Sequence, residues 1–384
     1  MNYHQLKQDI IQYSKTIGID KIGFTNASTF EEMKIRLIQQ QELNYQSGFE
    51  EKDIEKRVNP SLLLDKPKSI ISIALAYPSK MKERVTSKKG ARRGIFCRAS
   101  WGTDYHVVLR DRLQKLEKYI LEKVPDARCK SMVDTGELVD RAVAQRAGIG
   151  WSGKNCAIIT PEFGSYVYLG EMITNLPITP DTPMEDQCGT CNKCVEVCPT
   201  GALIQGGQLN AQRCIAFQTQ TKGFLSEEFR EKIGNRLYGC DTCQTVCPKN
   251  KGMDFHNHEE MEPDPEIAKP LLLPLLKISN KEFKEKYGYI SGSWRGKKPI
   301  QRNALIALAH FKEEGAVDDI IDVMNKDPRP VLRGTAAWAL GKIGGEAAKE
   351  ALNNSLIKES DEEVQTEITD ALERLSSIET TDKL

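Results

Sequence analysis

CGTCNKCVEVCPTGA, residues 188–202, and its shorter echo GCDTCQTVCP, residues 239–248, carry seven of the chain's eleven cysteines. The first places Cys188, Cys191, Cys194 and Cys198 at C-x2-C-x2-C-x3-C-P spacing. The second places Cys240, Cys243 and Cys247 at C-x2-C-x3-C-P. Two residues between ligands let one loop wrap the face of an iron–sulfur cube, and the proline after the last cysteine turns the chain away. One thiolate is lacking from the second run, and Cys214, between the two, is the candidate to supply it.

These thiolates suffice for two 4Fe–4S clusters. Where two clusters share such runs, the fourth cysteine of each crosses to the other cluster. This assigns Cys188, Cys191, Cys194 and Cys247 to one cluster, and Cys198, Cys214, Cys240 and Cys243 to the other. A zinc ribbon is the competing reading, but zinc does not call for three closely spaced cysteines followed by a fourth and a proline. A disulfide framework is disfavoured because the start, MNYHQLKQDIIQ, lacks the apolar core of a signal peptide. Cys97, Cys129 and Cys156 lie outside this count, and such cysteines are usually small buried hydrophobes.

With 384 residues the chain is long enough for two or three domains. Lys plus Arg and Asp plus Glu are equal at 54 each, so total charge selects no partner. The distribution is uneven. Lys80 to Arg98 holds eight bases (Lys80, Lys82, Arg84, Lys88, Lys89, Arg92, Arg93, Arg98) against Glu83 alone, whereas from Glu346 onward eleven acids face four bases. Two basic runs, this one and RGKKPIQR from Arg295, beside an acidic tail point to a large polyanionic partner. No apolar run is long enough to span a bilayer, so a cytoplasmic protein without membrane contact is expected.

Along the chain, helical spacing in Tyr3–Thr16 is followed by the strand-like KIGFT, a helix from about Thr29 to Tyr45, and the buried-strand run SIISIALAY. Asp104 is placed to cap a helix through DYHVVLRDRLQKLEKYILEKV. The strand CKSMV then leads to Asp134, the helix ELVDRAVAQRAG, the glycine-rich GIGWSGKNCAIIT and the strand SYVYLGEMI. Alternating helices and strands predict an α/β sheet domain over residues 1–176, with a ligand at the strands' carboxyl ends near Asp134. The cysteine module occupies 177–258. Residues 259–384 hold the linker HEEMEPDPEIAKP and paired amphipathic helices, of which DPRPVLRGTAAWALGKIGGEAAKEAL looks like a HEAT-like repeat rather than a plain bundle.

Clusters move electrons but need a second redox group, and no G-x-G-x-x-G follows a strand. DYHVVL approximates D-x-H-x-x-G but has Leu109 in place of glycine, which leaves His106 as an ordinary polar helix residue rather than an axial ligand. Asp134 has two readings: a desolvated carboxyl whose pKa is raised into the range of a proton donor, or a cap for the helix beginning near Glu137.

Taken together, VDTGELVDRAVAQRAGIGWSGKN, the CGTCNKCVEVCPTGA run, RCIAFQTQTKG and IGNRLYGCDTCQTVCPKN resemble bacterial epoxyqueuosine reductases over nearly the whole length. The resemblance implies an α/β cobalamin-binding domain, then a two-cluster ferredoxin-like module and an α-helical HEAT-like repeat region that binds tRNA. The architecture is also similar to reductive dehalogenases. It implies that clusters feed electrons to cobalamin, that an epoxide on a tRNA wobble base is reduced to the alkene of queuosine, and that Asp134 protonates the leaving oxygen.

By the same resemblance Arg57, Cys97, Asp134, Ser152 and Lys154 would line the cobalamin, and Lys222, Arg295, Lys297 and Lys298 would contact tRNA. An unidentified low-potential electron donor and a monomeric state are expected. Glu137, Asp140 and Thr221 depart from the family pattern, which commonly has proline, glutamate and glutamate there. The alternative is a noncatalytic iron–sulfur electron-transfer or scaffold protein, distinguished by intact clusters without a corrinoid.

Overall fold

The run SIISIALA forms a strand, Ser69–Ala76, in which every residue is buried. In this computed structural model, which describes residues 2–381, it is one of four strands in a sheet. These are β1 (Lys21–Asn26), β2 (Ser69–Ala76), β3 (Cys129–Met132) and β4 (Val167–Thr174), ordered β1-β2-β4-β3. All three pairings are antiparallel. The alternation of helices and strands that marked the α/β domain left strand direction open. The helix α2 (Tyr105–Lys123), against which α1 (Tyr3–Thr16) stacks Tyr13 on Tyr119, carries the chain from β2 to β3 in the same sense, but β4 inserts between them in the opposite sense.

Helices cover both faces. Opposed residues in an antiparallel pair share a face, so Ile73 and Gly170 lie together, and Gly170 packs on Leu113 of α2. On the other face Ile70, Met132 and Ile173 pack with Leu138, Val139, Ala142 and Val143, from the segment leading into and forming α3 (Asp140–Arg146). The carboxyl ends of β2 and β3 and the amino end of β4 thus meet at one end of the sheet, where both α2 and the β3–α3 turn begin.

Contacts divide the chain into two units. One comprises Met1–Lys80, Gly102–Cys214 and Asp241–Glu262; the other comprises Met81–Trp101, Ile215–Cys240 and Pro263–Leu384. The 177–258 stretch therefore contributes residues to both. In the second unit five helices follow one another: α4 (Lys297–His310), α5 (Val317–Lys326), α6 (Pro330–Ile343), α7 (Glu346–Leu356) and α8 (Glu362–Thr381). Gly341 lets α6 approach α8 closely, because a Cβ there would lie 2.7 Å from that of Ala371. No helix among the described residues is long and apolar enough to cross a membrane.

Three bases of the run that ends at Arg98 form ion pairs inside this unit. Arg92 pairs with the buried Glu313 at 2.7 Å, Arg93 binds both oxygens of Glu266, and Lys89 meets Glu314. Arg92 and Arg93 thus strap this segment to the unit, because their guanidinium groups already have carboxylate partners.

Arg302, on α4 and 1% exposed, is the polar anchor of the unit. It donates to the carbonyls of Gln218, Thr221 and Gly223 at 2.9, 2.9 and 2.7 Å. Burial pushes its pKa down to about 9, so the residue is retained against a desolvation cost by these bonds. Arg302→Ala leaves three carbonyls without this donor and is expected to destabilise the protein by at least about 3 kcal/mol. A wild-type urea midpoint in that variant would contradict the assignment.

Candidate active site

β3 ends at Met132, and the chain folds back sharply over Val133–Gly136. Thr135 N–H reaches Val133 O, and Gly136 lies so close to Met132 that a Cβ would sit 2.6 Å from the methionine Cβ. Asp134 adopts the left-handed conformation with φ of +49°, uncommon for a residue with a side chain and costly unless its surroundings hold it. Its backbone N–H donates to Asp140 Oδ2 at 3.2 Å. The capping reading is corrected: α3 begins at Asp140, its N-cap is Val139, and no side chain caps it.

The Asp134 carboxyl is 58% exposed and receives two partners from the start of α2. Tyr105 donates its hydroxyl to Oδ2 at 2.8 Å, and His106 Nε2 lies 3.5 Å from the same oxygen. Tyr105 is itself fixed by stacking on Tyr168 of β4, with ring centroids 4.7 Å apart. Asp104, as anticipated, caps α2 through the His106 N–H, and also binds His106 Nδ1 at 2.8 Å.

Burial opposes charge on His106, but Asp104 and Asp134 outweigh it and raise its pKa to about 9. In return, His106 holds Asp134 below the usual carboxylate range, against burial and with help from Tyr105. The expectation of a raised Asp134 pKa is therefore corrected. At neutral pH the proton sits on His106, and Asp134 is ionised. His106 is correspondingly no ordinary helix-surface residue.

The carboxyls that burial does raise are Asp140 and Glu171. Glu171 lies in the middle of β4, fully buried, opposite Ser72 and Met132. Burial is the main cause for both, and the negative charge of Asp140 adds to it at Glu171. Arg57 belongs to the same region. Burial lowers its pKa, Glu50 and Asp140 oppose that, and the Arg141 charge adds to it.

Ser152 and Lys154 diverge. Ser152 donates to Gln145 Oε1 at 2.6 Å, on α3. Lys154 binds Gly189 O at 2.7 Å and Asn192 Oδ1 at 3.0 Å, within the first cysteine loop. Beside these residues, the buried Trp151 Nε1 and Asn155 Nδ2 have no hydrogen-bond acceptor among the described residues.

Lys154 and Asn155 also line a cavity of about 140 Å³ with Cys188, Cys191, Cys194 and Cys247. The structure thus brings together the four cysteines grouped from the crossing rule. Burial raises the Cys194 and Cys247 thiols, and the charge of neighbouring Cys188 adds to each. Of the other group, Cys198, Cys214 and Cys243 fall in the first unit and Cys240 in the second. Burial would raise Cys198, but the N–H groups of Leu203, Thr200 and Ala202 lower it overall, as suits a thiolate ligand. Cys129 is a half-buried thiol pushed up to about 11 by burial, and burial raises Cys156 too.

In the second unit Cys97 packs on Gly239, the residue before Cys240. Lys222 is exposed, and the Arg295 guanidinium lies over the Trp294 ring at 4.9 Å while donating to Gln220 O. Lys298 is half-buried in the first turn of α4. Lys297 donates to Ile278 O at 2.6 Å, so its ammonium is partly committed.

A paired-cluster iron–sulfur protein with a helical repeat is the class these features define. Residues 187–250 match the 4Fe–4S double cluster binding domain, residues 296–373 match HEAT repeats, and residues 57–135 match the model described as epoxyqueuosine reductase QueG. Epoxyqueuosine reductase of Bacillus anthracis is 74% identical over 98% of this chain and 99% of its own length. That of Bacillus subtilis is 67% identical over 98% of each. A crystal structure of epoxyqueuosine reductase with a tRNA-Tyr epoxyqueuosine-modified stem loop superposes with a TM-score of 0.96, at 67% identity, covering 98% of this chain and all of that one. A Bacillus subtilis epoxyqueuosine reductase structure, described as having its Asp134 catalytic loop swung out of the active site, also gives 0.96, at 67% identity over 97% of this chain and all of that one. The chain belongs to the epoxyqueuosine reductase family.

Sequence reasoning missed Tyr105, the pairing of His106 and the burial of Glu171. A signal for the last was present, since a glutamate inside the apolar run SYVYLGEMI is anomalous in a buried strand.

The pH dependence of stability follows from His106. Its folded pKa of about 9 exceeds the unfolded value of about 6.5, so its contribution is complete below about pH 6.5 and is lost as pH rises through about 9. The stability difference between wild type and His106→Gln in urea should shrink over that window. A difference that stays constant from about pH 6 to 10 would remove the ion pair from the account.

Proposed function

We propose that the chain reduces epoxyqueuosine to queuosine at the wobble position of tRNA, using cobalamin and two 4Fe–4S clusters. The observation that carries this is the Asp134 carboxylate, held on one oxygen by Tyr105 and His106 at the end of the sheet where α2 begins. Epoxide deoxygenation consumes two electrons and two protons and releases water, so a site for it needs an electron path and a proton supply. The cysteine sets suit the first and the His106–Asp134 pair suits the second.

The residues present fit a corrinoid. The orphaned donors Trp151 Nε1 and Asn155 Nδ2 beside Ser152 match its amide and phosphate oxygens, and Arg57 adds a cation. Cys97 remains a candidate to line it. Bound there, cobalamin would supply a low-potential, nucleophilic metal centre for the two-electron reduction, recharged through Cys188, Cys191, Cys194 and Cys247 and the set Cys198, Cys214, Cys240 and Cys243. A low-potential donor must reload those clusters.

On this reading Asp134 is the relay rather than the store of the proton. His106, charged at neutral pH, gives its proton to Asp134 Oδ2, which passes it to the leaving oxygen. Tyr105 orients that oxygen and stabilises the carboxylate between transfers. Asp104 keeps the ring in the orientation that presents Nε2.

The repeat region supplies the grip on tRNA. Lys298 adds a cation to the amino end of the fourteen-residue α4, where unpaired N–H groups already favour phosphate. Arg295 over Trp294, 52% exposed, offers a flat cationic surface, and Lys222 and Lys297 add charge.

Asp134→Asn should retain tRNA and corrinoid but lose about 10²–10⁴-fold in turnover, and His106→Gln should follow it. Mass spectrometry of tRNA nucleosides measures this, and normal conversion by Asp134→Asn would remove the relay. Lys222→Glu combined with Lys298→Glu should weaken tRNA affinity and flatten its dependence on salt. Unchanged binding across several salt concentrations would place the tRNA elsewhere.

A further inference from the structure

The β4 carboxyl of Glu171 takes no part in the chemistry above, yet it sits fully buried in a central strand. Among the described residues no hydroxyl or amide donor reaches either of its oxygens or Asp140 Oδ1, and the Ser72 hydroxyl opposite it is also unpartnered. Three carboxyl oxygens are thus left without a donor, and burial raises both acids. Two such carboxyls are accommodated together only if one carries a proton. The second Asp140 oxygen then faces the other way and accepts the Asp134 N–H.

We propose that Asp140, backed by a protonated Glu171, is a latch that holds the turn carrying Asp134 in its left-handed conformation. Without it, the residue at φ +49° loses its backbone hydrogen bond to Asp140 Oδ2. The neighbouring charges fit one shared proton. Asp134 adds a negative charge that disfavours ionising both, whereas Arg141 and Arg57 favour one carboxylate at Asp140. Neither acid touches substrate in this account; both are positioning residues. The latch rests on the reading of Asp134 as the working carboxyl, but its test does not.

The test is amide hydrogen exchange of residues 133–137 in the cluster-loaded protein without substrate, corrected for intrinsic rate. Asp140→Ala should raise exchange there about ten- to a hundredfold, the range for losing a hydrogen bond to a charged acceptor. Glu171→Gln, which remains a neutral donor at every pH, should keep the turn protected. Wild-type protection should fall at alkaline pH as the shared proton is lost and two buried carboxylates repel, whereas Glu171→Gln should show no such fall. Wild-type exchange in Asp140→Ala, or a turn in Glu171→Gln as open as in Asp140→Ala, overturns the latch. Should Asp140→Ala not fold, the pH comparison decides alone: equal loss of protection in wild type and Glu171→Gln overturns it. If exchange behaves as expected while Asp134→Asn converts substrate normally, the latch stands and the relay falls.

Discussion

One oxygen atom, Asp134 Oδ2, accepts the Tyr105 hydroxyl and lies 3.5 Å from His106 Nε2, and the arrangement of the first unit follows from bringing those three together. Tyr105 and His106 open α2, whereas Asp134 follows β3, which lies at the far end of that helix in sequence. They meet because α2 returns the chain along the sheet, so that β3 ends where α2 began. A sheet with helices on both faces makes this contact rigid. Tyr168, on the inserted strand β4, supports Tyr105 from beneath by stacking.

The electrostatics divide labour between two levels. At the solvent-facing level, His106 is charged and Asp134 ionised, and each holds the other in that state. Below them, burial keeps a proton on the Asp140 and Glu171 pair. The backbone N–H of Asp134 connects the levels without transferring a proton. A carboxylate that is both ionised and correctly oriented is thus backed by a pair that carries one negative charge rather than two, because a further anion there would add to the repulsion.

The iron–sulfur frame was legible in the cysteine spacing alone. Ligand geometry dictates that spacing locally, and the grouping of Cys188, Cys191 and Cys194 with the distant Cys247 agrees with the cavity they line. Strand positions were legible for the same reason: SIISIALA, CKSM and VYLGEMIT carry local patterns. Strand direction was not, because the insertion of β4 between β2 and β3 is a long-range choice that no local pattern records. The misjudged charges have a similar origin. Arg92 and Arg93 looked available for phosphate because Glu313 and Glu266 lie far along the chain.

Asp134 shows how far a residue's chemistry depends on such remote partners. From its neighbours in sequence, a carboxyl after an apolar strand should be desolvated and hold its proton. The fold turns its side chain outward toward a cation and assigns desolvation to Glu171, 37 positions on in sequence and buried in the adjoining strand. A proton donor working near neutral pH is still obtained, but from a histidine raised by two acids rather than from an acid raised by burial. The two routes place the proton on different atoms, and only the one seen here keeps the exposed carboxylate ready to accept it again after each transfer.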